Sequence, residues 1–218
     1  MASLEVQRIP VTPLRQNCTV LSDGQGRAVV IDPGGDVDDL LTAVEGQVVE
    51  AILLTHGHFD HAGGADALRE RLNDRQETRV PVLGPDRRDA FLLSGIEAQA
   101  ASLGLSGLRN VKPDRFLAGG ETLSLLGHEL TVEHVPGHTP GHVVFIDRAS
   151  QRAIVGDTLF RNTVGRTDFP YGDHEALLAG IKRHLLTLPE HTVVLCGHGL
   201  PTTIGEERQS NPFFAHQF

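Results

Sequence analysis

Between Leu54 and Ala62 the chain reads Thr55-His56-Gly57-His58-Phe59-Asp60-His61. Three imidazoles and one carboxylate this close together form a donor set for zinc, iron or manganese, and they disfavour metals that demand thiolate alone. A His-x-His pair leaving a strand can send both rings to one side. Asp60 and His61 then stand close enough to serve a second centre beside the first. Gly57, and Gly63-Gly64 just beyond, allow the tight backbone that such crowding needs. Four donors do not complete two sites, because each ion takes three or four protein ligands, with water added where the site is catalytic. Three further segments offer the remainder. Pro136-Gly137-His138-Thr139-Pro140-Gly141-His142 offers His138, Gly156-Asp157-Thr158 offers a carboxylate able to bridge two ions, and Cys196-Gly197-His198-Gly199 offers another imidazole. Taken singly, each is more ordinary as a structural or surface residue. Their joint occurrence behind apolar runs and glycine is what marks them as candidate ligands.

The elements that must position these groups follow from periodicity. Leu4–Ile9, Cys18–Leu21, Ala28–Ile31, Ala51–Leu54 and Val80–Leu83 read as strands in the first half, with a turn at Asp32-Pro33-Gly34-Gly35. Val37–Val44, Ala65–Leu72 and Asp86–Leu103 read as helices, the last with a weak point at Gly95. Glu129–Val135, Val143–Asp147, Ala153–Val155 and Val193–Cys196 read as strands in the second half. Asp173 is placed to cap a helix whose apolar face carries Leu177, Leu178, Ile181, Leu185 and Leu188, and a short helix is expected after Gly205. Two mixed sheets with helices outside is the economical packing, since each sheet needs its second face covered. Each polar cluster follows an apolar strand: Leu54 precedes His56, Val135 precedes His138, Val155 precedes Asp157 and Cys196 precedes His198. Facing sheets would bring all four clusters to one edge.

Bulk properties limit the classes. A chain of 218 residues with 39% hydrophobic and 22% charged residues is an ordinary globular composition, read here as one domain over 1–218. No apolar run approaches the ~18 residues needed to span a bilayer, and no export signal is visible at the N-terminus, so a cytoplasmic location and no membrane partner are expected. A formal net charge of -9 disfavours nucleic acid as a partner. The two cysteines, Cys18 and Cys196, form no CxxC and read as reduced thiols.

The segments THGHFDH, PGHTPGH, GDTLF and CGHG, in this order and spacing, resemble those of the metallo-β-lactamase superfamily, and within it a short bacterial branch of the type II glyoxalases (hydroxyacylglutathione hydrolases). The likeness runs from the region of Asn17 and Asp32-Pro33-Gly34 to Asn211-Pro212. It implies an α/β (α+β) fold, a four-layer αββα sandwich. It also implies that His56, His58 and His138 hold one ion, that Asp60, His61 and His198 hold another, and that Asp157 bridges them. Asp60 and Asp157 are then the catalytic carboxylates, and the cofactors are two divalent ions, zinc in the first instance with iron or manganese as alternatives. In long members a helical domain after the last metal histidine helps bind glutathione. Here only residues 199–218 follow His198, and that domain is expected to be absent. Gly165-Arg166-Thr167-Asp168-Phe169 occupies the position of the substrate loop, which makes Arg166 the candidate for substrate binding. Leu200 stands where long members carry a tyrosine.

The activity expected is hydrolysis of a small 2-hydroxyacyl thioester such as S-lactoylglutathione, a step of methylglyoxal detoxification, by a hydroxide held between the ions. Two ions sharing a water lower its pKa toward neutrality, and a thiol of pKa ~8.5 leaves with little acid help. No GxSxG supplies a serine nucleophile. The alternative is a mononuclear-iron persulfide dioxygenase, using residues that match His56, His138 and Asp157. That branch carries cysteine and tyrosine where this chain has Val164 and Leu200, which disfavours it. Asp32 and His142 are read as residues that either orient ligands or serve structure. His128, His134, His174, His184, His191 and His216 are read as non-ligands.

Overall fold

The structure is a computed structural model and describes residues 4–215; His216 lies outside the described residues. One sheet is built from β1 (Glu5–Val11), β2 (Gln16–Ser22), β3 (Arg27–Ile31), β4 (Val48–Leu53) and β5 (Val82–Leu83), side by side in that order. The first three strands run antiparallel, and β3, β4 and β5 run parallel. Parallel neighbours need a crossover. Helix α1 (Val37–Ala43) provides it between β3 and β4. Helices α2 (Phe59–Ala62) and α3 (Ala65–Asn73) lie between β4 and β5.

The segment expected as one helix from Asp86 to Leu103 is broken. A 3-10 turn, Arg87–Asp89, leads into α4 (Ala90–Leu93), and α5 (Ile96–Ser102) starts only after Gly95. The buried Asp89 side chain explains part of the break, because its carboxylate serves backbone amides elsewhere rather than its own helix.

The second sheet contains β6 (Thr122–Leu125), β7 (His128–His134), β8 (Val143–Asp147) and β9 (Arg152–Gly156). A small ribbon, β10 (Leu159–Phe160) with β11 (Thr163–Val164), follows. Helix α6 (His174–Gly180), capped by the Asp173 side chain, continues as a π-helical turn, Ile181–Leu185. The chain closes with β12 (Val193–Cys196), β13 (Thr202–Thr203) and α7 (Ile204–Ser210). Strand order in this sheet is β13-β12-β9-β8-β7-β6, and only β9 and β12 run parallel. Periodicity missed β6, β10, β11 and β13, which have two to four residues each and show too little alternation to be distinguished.

Three apolar layers hold the four structural layers together. Val29, Ile31 and Leu53 on one sheet meet Val132, Phe145 and Leu195 on the other. Their sequence neighbours Val30 and Ile52 point the opposite way, onto Leu40 and Leu68 of the outer helices. Val144, Val155 and Val194 likewise face Leu177, Ile181 and Ile204. Both faces of the central strands are buried, so those strands read as continuous apolar runs. The result is an αββα sandwich.

The sheets are stitched where their polar loops meet. Gln16 and His198 form an isolated antiparallel bridge, and the Asn17 amide donates to Gly197 O at 2.7 Å. The Asn17 side chain donates to Cys196 O at 3.1 Å and to Gly199 O at 2.9 Å. Asn17→Ala is expected to lower the unfolding free energy by ~1–3 kcal/mol, the range for stranding buried polar groups. Urea denaturation reads this directly, and wild-type stability would show that the stitch contributes nothing.

Candidate metal centre

The ends of two parallel strand pairs carry the site. Strand β3 ends at Ile31, just before Asp32, and β4 leads through Leu54 and Thr55 into His56. Strand β9 ends at Gly156 before Asp157, and β12 ends at Cys196 before His198. Crevices at the carboxyl ends of parallel strands are where α/β folds place ligands. Close approach there leaves no room for side chains at two glycines. A Cβ on Gly156, whose φ is +49°, would meet Thr55 and His142, and one on Gly197 would overlap the Asp157 carboxylate and the His61 ring.

The seven candidate residues come together. Nε2 of His56 lies 3.1 Å from Nδ1 of His58, which lies 3.0 Å from Nε2 of His138. Nε2 of His198 lies 3.2 Å from Oδ2 of Asp60, and Nε2 of His61 lies 3.9 Å from the same oxygen. Asp157 stands between the groups, with Oδ1 3.3 Å from His61 and Oδ2 3.6 Å from His138 and 3.7 Å from His198. Donors ~2.0–2.1 Å from an ion at tetrahedral angles sit ~3.4 Å apart, so the observed separations fit metal coordination. Nε2 of His61 and Oδ1 of Asp157 are buried and lack a hydrogen bond of acceptable geometry among the described residues. Orphaned buried polar atoms are costly, and cations between them would remove that cost.

Residues around the donors fix which atom each presents. Asp32 accepts from Nδ1 of His61 at 2.9 Å, and from the backbone amide and hydroxyl of Thr55 at 2.7 and 2.6 Å. It thus orients a candidate ligand, and the backbone amide that it caps is that of Thr55, beyond the end of β4, rather than one of its own turn. His138 directs Nδ1 to Arg166 O at 2.8 Å. His58 directs Nε2 to the Tyr171 hydroxyl at 2.9 Å. His142 stacks on His56 at 4.7 Å and its Nε2 accepts the Asp157 amide at 3.1 Å. Such contacts set ring orientation and tautomer.

Electrostatics divide the two groups. Burial, reinforced by neighbouring imidazoles, drives the His56 pKa well below its ordinary value and pushes His58 down to about 3. Both rings stay neutral, as metal ligands must be. Burial also opposes charge on His61, but Asp157 and Asp60 outweigh it and raise its pKa. Burial likewise works against ionising Asp157, and His61 overcomes it, so the carboxylate stays charged.

Sequence reasoning missed Asp89 and Tyr171. Asp89 is fully buried and lies between the two ligand loops. It accepts from the Gly57 amide at 2.9 Å, the Thr139 hydroxyl at 2.6 Å and the Gly141 amide at 2.6 Å. Burial pushes its pKa up to about 6. Only a carboxylate directly before Ala90, at the N-cap position of α4, signals it locally, and such a residue reads as an ordinary cap. Arg166 is exposed. Its Nε and Nη2 are engaged by Asp168 at 2.7 and 2.8 Å, and its guanidinium lies 4.5 Å from the Phe169 ring centre. Of the histidines set aside, His128 pairs with Asp147 and His184 with Glu133. His134 meets Pro140 O, and none of the three joins the clustered donors.

A cavity of about 610 Å³ opens onto the donors, lined by His58, Asp60, His138, Asp157, Arg166 and His198 among others. A larger hollow of about 900 Å³, between Arg87, Leu93 and Phe116, contains none of the clustered residues. The chemistry therefore assigns the smaller one to the site.

The chain belongs to the Metallo-beta-lactamase superfamily, whose sequence pattern it matches over residues 11–198. Within that superfamily it is 40% identical over 213 residues to the hydroxyacylglutathione hydrolase GloC of Haemophilus influenzae, covering 96% of this chain and 98% of that one. Among solved structures it superposes on the BLEG-1 B3 metallo-beta-lactamase with a TM-score of 0.86 at 37% identity, covering 96% of this chain and 99% of the other. It also superposes on TTHA1623 in a di-iron-bound form with a TM-score of 0.85 at 40% identity, covering 96% and 100%.

Asp89→Asn keeps the shape but turns one carboxylate oxygen into a donor facing either the Gly141 amide or the Gly57–Thr139 pair. It is expected to destabilise the protein by ~1–3 kcal/mol and to weaken metal retention ~10–100-fold. Chelator competition checks the second effect, and unchanged affinity would mean that Asp89 does not organise the ligand loops.

Proposed function

We propose that the protein is a two-metal hydrolase acting on a small acyl thioester, of the 2-hydroxyacyl type that S-lactoylglutathione represents. The observation that carries this reading is the Asp157 carboxylate, buried between the two groups of donors, with Oδ1 toward His61 and Oδ2 toward both His138 and His198. His56, His58 and His138 would hold one ion, Asp60, His61 and His198 the other, and Asp157 both. Zinc suits this donor set, and the di-iron form of a relative 40% identical makes iron the next choice, ahead of manganese. Bound there, two divalent ions supply Lewis acidity that ionises water near neutral pH and offsets charge developing on a carbonyl oxygen.

The chain's own residues do the rest. Asp32 and the Thr55 hydroxyl keep the His61 and His56 rings in place. Asp157 and Asp60 are the catalytic carboxylates, holding the reacting centre at one position on the cavity floor. Arg166 lines that cavity and has Nη1 not engaged by Asp168, so it can meet a carbonyl of the substrate. In the reaction a C–O bond from water replaces the C–S bond, giving an acid and a thiol. The thiol needs no dedicated acid, and no serine nucleophile is required. Two buried, unpaired thiols, Cys18 and Cys196, suit a reducing cytoplasm. Among the described residues no helix is long and apolar enough to cross a membrane.

The B3 metallo-beta-lactamase among the structural neighbours supports a second reading, hydrolysis of a β-lactam amide at the same carbonyl-facing site. Steady-state rates on S-lactoylglutathione and on a chromogenic cephalosporin separate the two. The thioester reading expects at least 100-fold greater kcat/KM on the former. An oxygen-uptake assay on glutathione persulfide is expected to show none.

Two variants test the roles. Asp157→Ala is expected to lose bound metal and at least 100-fold in kcat together, since one carboxylate serves both positions. A variant that keeps turnover would remove the dinuclear mechanism. Arg166→Ala is expected to raise KM a few-fold with little change in kcat, the pattern of uniform binding. A fall in kcat at constant KM would place Arg166 in the chemistry instead.

A further inference from the structure

We infer that the cavity recognises its thioester through an uncharged, apolar thiol arm. This rests on the thioester reading above and adds what holds the part of the substrate beyond the sulfur.

Exposed large apolar side chains are few among the described residues, and two of them open onto the site. Leu14, Val48, Phe91, Leu103 and Leu200 are the five among the described residues, between 44% and 62% exposed. Leu14 and Leu103 line the cavity that opens onto the clustered donors. Phe91 packs edge-on against Tyr171 at 5.4 Å, and Tyr171 is the residue that touches His58. Leu200 stands two residues beyond His198. Val48, Phe91 and Leu200 do not themselves line the cavity. Inside the mouth the apolar lining continues with Phe59, Phe160, Val164 and Phe169. Gathered exposed apolar surface marks a place where something binds, and Leu14 and Leu103 carry such surface into the mouth of the site.

Charge argues the same way. Arg166 is the only lysine or arginine that lines the cavity. Asp168 already holds its guanidinium by two nitrogens, and Phe169 covers one face. A peptide thiol such as glutathione brings two free carboxylates to a mouth whose single cation is neutralised before binding. An aliphatic arm meets leucine and phenylalanine, and burying one methylene fully tightens binding about fourfold.

The test uses lactoyl thioesters of N-acetyl-, N-butanoyl- and N-hexanoylcysteamine beside S-lactoylglutathione, on the metal-loaded protein. The leaving thiol is the same throughout the cysteamine series, so only apolar length varies. kcat/KM is expected to rise about two- to fourfold per methylene, and the hexanoyl compound is expected to exceed S-lactoylglutathione. Leu14→Ser and Leu103→Ser, both at exposed positions, are expected to flatten the rise. A flat series with S-lactoylglutathione preferred would overturn the proposal, and so would a rise that both serine variants leave intact. Hydrolysis of none of the four would remove the thioester reading but still leave the mouth open to test. Calorimetry with free N-acetyl- and N-hexanoylcysteamine then decides. Tenfold or tighter binding of the longer thiol supports the apolar arm, and equal binding overturns it. Equal binding together with a dimer in sedimentation would assign the rim to a second copy of the chain.

Discussion

Everything at the site depends on one buried carboxylate. Asp157 is withdrawn from water and faces His61, His138 and His198 at 3.3 to 3.7 Å. A charge in that position is expensive unless opposite charge meets it. From the protein alone that charge has to come from a proton on His61, whose pKa Asp157 and Asp60 raise and which a metal ligand cannot carry, while burial and mutual repulsion hold His56 and His58 neutral. A pair of cations resolves the conflict: it satisfies the carboxylate, uses the neutral rings as donors and removes the orphaned atoms on His61 and Asp157. Placing such a carboxylate within reach of three other chain segments, those of His61, His138 and His198, is what the rest of the fold accomplishes.

The fold does so by repetition of one device. Each sheet contains a parallel pair, β3 with β4 and β9 with β12, and the carboxyl ends of β4, β9 and β12 release three of the donor loops, the fourth, with His138, following β7. Packing between the sheets, through residues such as Phe145 and Leu53, sets their spacing. Hydrogen bonds then fix the loops. Asn17 joins the sheets at the loop carrying His198, and Asp89 joins the loop of His58 to that of His138. Asp32 turns His61. Each of these acids and amides lies outside the donor set, yet each limits how far a donor can move.

Much of this was legible beforehand. The THGHFDH run is dense enough in donors to announce a metal site, and apolar runs located the long strands to within about three residues at either end. The αββα sandwich followed from sheets that need covering on both faces. Less was legible where contacts are distant in sequence. Asp89 serves amides 32 and 52 residues away, and no local pattern encodes that. Tyr171 reaches His58 across 113 positions. The helix expected over Asp86–Leu103 broke because Asp89 and Gly95 answer to tertiary contacts and backbone needs that outweigh propensity. Arg166 was legible by position but not by state, since its pairing with Asp168 depends on how the loop folds.

The central claim is that Asp157 lies between two cations. Crystals of the metal-loaded protein, measured at the absorption edge of the bound metal, test it most directly. The account expects two anomalous peaks ~3.5–4 Å apart, one within bonding reach of His56, His58 and His138, the other of Asp60, His61 and His198, with Asp157 touching both. A single fully occupied peak at the three histidines, with nothing beside His198, would contradict it.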